Sequence, residues 1–236
     1  MNYKALLLAI VSAVSVPTAF AQTDAMLSQY YEVPSYYNPS AIGNTDFIRI
    51  RGGARLQWVG IDNAPVDIAA VADMPFKIGS KRLGVGIKLA QNSEGLYKSL
   101  DLGAQIAYKW RKWGGLWSAG LQIGLYDQGF KGSEVYIPDN DDYHEGTDDA
   151  IPTTDIHGSA LDLGAGIWYE HPRFYAGLSC THLTSPSITM NAESASGGSE
   201  TSSEKKYEFQ AKRTLYFTAG CNIQIKNTLF ELVPSV

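Results

Sequence analysis

The sequence predicts an all-β fold, an antiparallel up-and-down transmembrane β-barrel, from three observations. Apolar and polar residues alternate with a period of two from about Thr45 onward, which is typical of strands with one apolar face. The alternating segments are about 10 to 13 residues long, the length that crosses a bilayer at a tilt. The connections alternate between tight and long, as in outer-membrane barrels with short periplasmic turns and long outer loops.

Nine strands follow from the alternation. In the segment from Leu116 to Tyr126, Leu121 and Ile123 fall on the apolar face and Gln122 on the other. The predicted strands are 46–58, 65–75, 82–92, 97–110, 115–127, 158–170, 173–184, 209–225 and 228–236. The predicted tight turns are Phe76–Lys81, Arg111–Gly114, Glu170–Pro172 and Lys226–Asn227, and the predicted outer loops include 93–97, 128–157 and 185–208.

The composition excludes several other classes of protein. Of the 236 residues, 44% are hydrophobic, 11% are aromatic and only 18% are charged, which argues against intrinsic disorder. The net charge of −5 argues against nucleic acid as the main partner. Beyond the N-terminus, no apolar run approaches the roughly 20 residues that a membrane-spanning helix needs.

The sequence divides into three parts. Residues 1–21 have the pattern of a signal peptide, with Lys4, a short apolar run and the small residues Ala19 and Ala21 at the cleavage site. Residues 22–44 are expected to form a periplasmic N-terminal segment. Residues 45–236 are expected to form the barrel.

The second face of the strands carries charged residues that we expect to line the lumen. They are Arg49, Arg51, Arg55, Asp67, Lys88, Asp101 and Asp162. Mutual neutralisation is the first interpretation, because buried charges normally pair. A selective channel lining and a binding site for an inserted peptide stay open as alternatives.

Other candidate sites give weaker signals. The acidic loop 128–157 lacks the ligand spacing of an EF-hand, and the four histidines are scattered without metal-ligand spacing, so we expect no metal and no cofactor. His157 lies two residues from Ser159, but the sequence offers no third group to orient the pair, and we expect no enzyme activity. Cys180 and Cys221 could form a disulfide or stay free.

Two blocks of the sequence are specific enough to indicate a family. The first contains Ser28, Gln29, Tyr30, Asn38, Pro39 and Gly43, and the second contains Arg55, Gln57, Trp58 and Pro65. Together they resemble the PorP/SprF family of outer-membrane proteins of Bacteroidota. Ser40-Ala41 departs slightly from the asparagine-proline-alanine motif of that family.

The resemblance implies a role in the type IX secretion system, which supports gliding motility in some relatives. Its implied partners are periplasmic ring components of that machine and the C-terminal sorting domains of secreted adhesins. We therefore expect a non-enzymatic barrel that docks or anchors these partners in the lipid bilayer of the bacterial outer membrane. An outer-membrane porin or hydrophobic-substrate transporter is the first alternative, and a soluble secreted β protein is the second.

The resemblance also bears on the N-terminal segment and the end of the chain. Asn38-Pro39 and Gly43 are expected to form a turn, with the segment packing at the mouth and partly closing the lumen. Trp58 is expected at the outer interface, and Trp110 and Trp113 at the periplasmic one. Nine strands is an odd number, whereas bacterial single-chain barrels have an even number, so we expect the barrel to be incomplete at the C-terminus.

Overall fold

The computed structural model describes residues 27–135, 152, 154–192, 205–224 and 231–235. Twelve strands lie within these ranges. They are β1 (Arg49–Leu56), β2 (Val66–Ile78), β3 (Lys81–Glu94), β4 (Tyr97–Lys112), β5 (Gly115–Lys131), β6 (Asp155–His171), β7 (Phe174–Thr181), β8 (Ser187–Ala192), β9 (Lys205–Gln210), β10 (Thr214–Cys221), β11 (Ile223–Gln224) and β12 (Glu231–Leu232). Before β1 the chain forms one short helix, α1 (Pro34–Tyr37), between the 3₁₀ turns Tyr30–Glu32 and Pro39–Ala41.

Eight of these strands form one antiparallel sheet that curves into a half-barrel. Its order is β1-β2-β3-β4-β5-β6-β7-β10, so the first seven strands follow one another as in an up-and-down barrel. Within the described residues, β1 and β10 form the two edges of this sheet. The predicted all-β, antiparallel up-and-down fold is confirmed.

Two-residue turns join β2 to β3, β4 to β5 and β6 to β7 at one end of the sheet. In the second of them, Trp113 and Gly114 have φ values of 54° and 75°, the left-handed pair of a type I′ turn. The three turns lie where the sequence predicts tight connections. Residues 225–230, which contain the predicted turn Lys226–Asn227, lie outside the described ranges.

The predicted loops differ from the structure in two places. The predicted loop 93–97 is shortened to the two-residue turn Gly95–Leu96, which Gly95 permits with a φ of 61°. The predicted loop 185–208 contains β8 and most of β9, which pair as a hairpin in which Ile188 and Met190 are buried. The hairpin was not predicted from the sequence because the alternation of apolar and polar residues in it is short. The centre of loop 128–157 and the stretch Ser194–Ser203 lie outside the described residues.

The last two predicted strands are also corrected. Within the predicted strand 209–225, residues 209–210 belong to the end of β9. The strand of the main sheet in this stretch, β10, runs only from Thr214 to Cys221. In the described part of 228–236, β12 pairs only with β11, and Ser235 makes a single bridge to Gly220. Pro234 explains why this pairing stays short, because proline has no N–H to donate to a strand ladder. The Pro234 carbonyl accepts a hydrogen bond from the Cys221 N–H at 3.1 Å.

Both cysteines are free thiols. In the register of β7 and β10, Cys180 lies opposite Leu215 and Cys221 lies opposite Phe174. The two thiols are therefore six residues apart along the strand direction, about 20 Å. A disulfide needs Cα atoms within about 7 Å, so this alternative is excluded by the pairing of the strands.

The two faces of the sheet differ in chemistry. The outer face carries large apolar side chains that are more than half exposed, a wall suited to contact with lipid chains. They include Ile50, Ile87, Ile106, Leu121, Ile123, Leu125, Leu161, Leu178, Leu215 and Phe217. None of the helices in the described ranges has the length and apolar character of a membrane-spanning helix.

Candidate functional site: the N-terminal segment on the inner face

Residues 34–43, which we call the plug, lie on the inner face of the sheet. Pro34 and Pro39 occupy the first positions of α1 and of the following 3₁₀ turn, where the missing N–H of proline costs no hydrogen bond. Between them, Asn38 ends α1, and its Oδ1 accepts a hydrogen bond from the Ser40 N–H at 3.0 Å. Most of the plug is buried, and Ile42 is completely so.

Asn38 connects the plug to two neighbouring strands. Its Nδ2 donates to the carbonyl oxygen of Ile167 at 3.2 Å and to that of Leu178 at 3.4 Å. Ile167 in β6 and Leu178 in β7 are direct cross-strand partners. The amide of Asn38 thus uses its oxygen to shape the plug and its nitrogen to hold the plug against the sheet.

Other polar groups hold the plug to strands on both sides of β6. Among these contacts, Gln105 Nε2 donates to the Ser35 carbonyl at 3.0 Å, and Ser179 Oγ donates to the Tyr37 carbonyl at 2.8 Å. At the other end, Arg49 donates to the Ala41 carbonyl at 3.2 Å, and the Gly43 N–H donates to Asp73 Oδ2 at 2.6 Å.

Ring contacts extend the attachment of the plug to two more strands. The Lys88 ammonium in β3 lies 5.1 Å from the centre of the Tyr36 ring, within the range of a cation–π contact. The ring of Tyr37 lies 5.0 Å from that of Tyr216 in β10. With β5, which the plug touches at Gly120, every strand of the eight-stranded sheet contacts the plug.

Glycines on the inner face allow this close approach. A Cβ atom on Gly84 would lie 2.7 Å from the Ile42 carbonyl oxygen, closer than real Cβ atoms come. A Cβ on Gly120 would overlap the Pro39–Ser40 backbone, and one on Gly166 would overlap the Asn38 side chain. Glycine inside a strand often marks such a backbone approach, and here the three glycines form the seat of the plug.

The seven charged residues predicted to line the lumen are located as follows. Lys88 pairs with Asp101 at 2.6 Å, and both are buried. Arg55 lies 3.9 Å from Asp67, and Arg49 lies 2.8 Å from Asp73. Asp162 lies 3.0 Å from His182, with both side chains almost fully buried. Arg51 donates to the Glu32 carbonyl.

Sequence reasoning missed several members of this site. Gln105 donates to Gln122 Oε1 at 2.8 Å as well as to the plug. Ser179 and His182 are also buried on this face. The alternation of the sequence could have placed these residues on the inner face. The neighbouring residues in the sequence could not have identified the backbone carbonyls or carboxylates that they contact.

The residues before the plug, 27–33, form a more exposed lead segment. Ser28 and Gln29 are exposed, and Tyr30 Oη lies 3.2 Å from Ser235 Oγ. Between this segment and the inner face of β1 and β2 lies a groove of about 900 Å³, which is lined on the strand side by Arg51 and Arg55. The lead segment therefore borders an open space with a mixed polar and apolar lining.

The second sequence block lies apart from the plug. Gln57 and Pro65 close the β1–β2 connection through the hydrogen bond from the Gln57 N–H to the Pro65 carbonyl at 3.0 Å. Trp58 follows in a left-handed conformation, with φ of 50°, and is 68% exposed. Arg55 of this block faces the inner side, where it contacts Asp67.

The Ser/His pair singled out from the sequence lies at the start of β6. His157 and Ser159 are both exposed on the same face at the start of β6. Within the described ranges, no group of three acidic, histidine or cysteine side chains could hold a metal ion.

Comparisons with known proteins give one match. No curated protein and no solved structure matches this chain. A family model described as "Type IX secretion system membrane protein PorP/SprF" matches residues 19–236, which is nearly the whole chain and includes both motif blocks and every described strand. The chain therefore belongs to the PorP/SprF family of type IX secretion system membrane proteins.

Proposed function

We propose that this protein is a non-enzymatic outer-membrane barrel that docks components of the type IX secretion system and anchors secreted adhesins. In gliding cells it would support motility through those adhesins. The observation that carries the proposal is the plug, which contacts all eight strands of the main sheet. An interior occupied in this way suits a rigid support better than a pore. Membership of the PorP/SprF family supports the assignment to the type IX secretion system.

The proposed orientation places the β2–β3, β4–β5 and β6–β7 turns in the periplasm, and the β3–β4 turn and the longer connections outside. It follows the usual arrangement of outer-membrane barrels. Residues 1–21 would direct export as a signal peptide. An epitope tag inserted within 136–150 should be accessible to antibody on intact cells, whereas a tag at Trp113–Gly114 should need permeabilised cells. The opposite pattern would reverse the orientation.

Docking can be tested by site-specific photo-crosslinking in cells. A crosslinking residue at Gln29 samples the lead segment, one at Trp113 samples the turns, and one at Ile123 serves as the lipid-facing control. We expect ring components or adhesin sorting domains to be recovered from Gln29 or Trp113 and not from Ile123. Recovery of no secretion-system protein from either test position would reject the docking function.

The porin alternative makes a different prediction. A protein with a seated plug should show no steady conductance in planar bilayers, because the plug lies on the inner face and contacts all eight strands of the main sheet. Step conductance of the size of an open porin in the unmodified protein would favour transport over docking. A transporter for hydrophobic substrates would instead show ligand-dependent uptake into vesicles.

A further inference from the structure

The three two-residue turns at one end of the sheet share a cationic character. Each has at least one exposed Lys or Arg within two residues of the turn. These cations, which we call the turn ring, are Lys77, Lys81, Arg111, Lys112 and Arg173. Within the described residues, none of them forms an ion pair. Among the side chains that the structure describes, the exposed acidic groups at this end are Glu170 and Asp46, and Asp46 pairs with Arg82 at 3.1 Å.

Aromatic side chains form a continuous cluster beside the turn ring. The ring of Trp117 lies 6.3 Å from Trp110, 5.6 Å from Trp113 and 4.8 Å from Tyr169. Tyr169 lies a further 5.6 Å from Phe174. Such amphipathic rings concentrate at the level of lipid headgroups. The cluster thus marks the membrane–water boundary at this end of the apolar wall.

Cations and aromatics are directly connected at the central turn. The Lys112 ammonium lies 4.8 Å from the centre of the Trp113 ring. The Trp113 carbonyl accepts a hydrogen bond from Tyr169 Oη at 3.0 Å, which ties this turn to the next hairpin. Lys112 is therefore held at the depth of the aromatic cluster, where headgroup phosphates lie.

We propose that the turn ring binds the phosphate groups of lipid headgroups. Arg and Lys both recognise phosphate, Arg through paired N–H donors and Lys as a point charge. A lipid is favoured as the ligand because the aromatic cluster beside these cations is typical of the headgroup level of a membrane. With the turns in the periplasm, the ligand is an anionic phospholipid of the inner leaflet.

Brominated lipids provide the test, because they quench the fluorescence of nearby tryptophans and three of the five tryptophans lie in the aromatic cluster. The full-length protein is reconstituted in phosphatidylcholine bilayers, and brominated phosphatidylglycerol is titrated in at low salt. We expect phosphatidylglycerol to compete about fivefold better than phosphatidylcholine for these sites. High salt should reduce this preference.

The test variant is Arg111→Gln/Lys112→Gln/Arg173→Gln. Its matched control is Lys98→Gln/Lys206→Gln/Lys212→Gln, which removes the same charge from exposed positions at the opposite end of the sheet. The proposal requires the lipid preference to vanish in the first variant and to persist in the second. Heat-modifiable migration on gels shows that both variants have folded. Equal lipid preference in both variants would overturn the proposal.

Two further arms separate the alternatives. Titration with lipopolysaccharide tests the other source of lipid phosphate, and its preferential binding would support phosphate recognition while overturning the periplasmic placement of the turns. If the unmodified protein shows no lipid preference while the turn-ring variant loses protein crosslinks from Trp113, the surface binds an acidic protein and the lipid proposal fails.

Discussion

Substitution of Gly120 by alanine tests whether the plug is a fixed part of the structure. The added Cβ would overlap the backbone of Pro39 and Ser40, and this backbone cannot easily retreat. Ser40 is completely buried, and its N–H is bound to Asn38 Oδ1. Overpacking of a well-packed interior costs about 1–3 kcal/mol. We therefore expect Gly120→Ala to lower the free energy of unfolding by about that amount.

Gly53→Ala is the matched control. Gly53 also lies in a strand of the main sheet, but a Cβ there would meet no atom within 4 Å. Replacing a strand glycine with alanine at an open position gains about 0.5–1 kcal/mol, because the unfolded chain loses conformational freedom. The two variants should therefore differ by at least about 1.5 kcal/mol.

The assay is urea unfolding in lipid bilayers, followed by tryptophan fluorescence. A second measurement follows the plug itself. In a background of Cys180→Ser and Cys221→Ser, the thiol of Ser40→Cys should resist maleimide in the folded protein, because Ser40 is completely buried. Adding Gly120→Ala should speed its labelling. Equal stability of the two alanine variants, with a Ser40→Cys thiol that reacts at once in the folded protein, would refute the seated plug.

Three further predictions use the same unfolding assay. Asn38→Ala should cost at least about 2 kcal/mol, because it removes the two hydrogen bonds to β6 and β7, each worth about 1 kcal/mol, together with those that Oδ1 accepts from Ser40. A cost within about 0.5 kcal/mol of zero would contradict the bridging role. Lys88→Met should cost about 3–5 kcal/mol by leaving Asp101 buried without its partner. The double variant Lys88→Met/Asp101→Leu should recover most of this loss of stability. A double variant no more stable than the single one would contradict a coupled pair. Ile123→Arg should cost about 2–4 kcal/mol if this 54% exposed side chain faces the bilayer midplane, with Ile123→Leu as the near-neutral control; equal stability of both would argue against lipid contact.

Alternation by itself determined the strands and their two faces. Leu121 and Ile123 were predicted on the apolar face and Gln122 on the other, and the structure leaves the first two exposed and buries the third. This succeeded because the period of two is a local property of an extended chain, so neighbouring residues suffice to detect it. Turn positions were likewise predictable, because Gly79 and Gly114 sit where the backbone must become left-handed.

Only the tertiary structure determined which contacts the residues of the inner face make. The sequence shows Gly120 and Gly166 as small residues of a strand, but their use as a seat depends on Asn38 to Ser40, about 80 to 130 positions away in the chain. Lys88 could have met any carboxylate of the inner face until the register placed β3 beside β4 and Asp101 within 2.6 Å. Pairing across strands and packing over a curved sheet depend on register and curvature. Both are properties of the assembled fold, so no local pattern contains them.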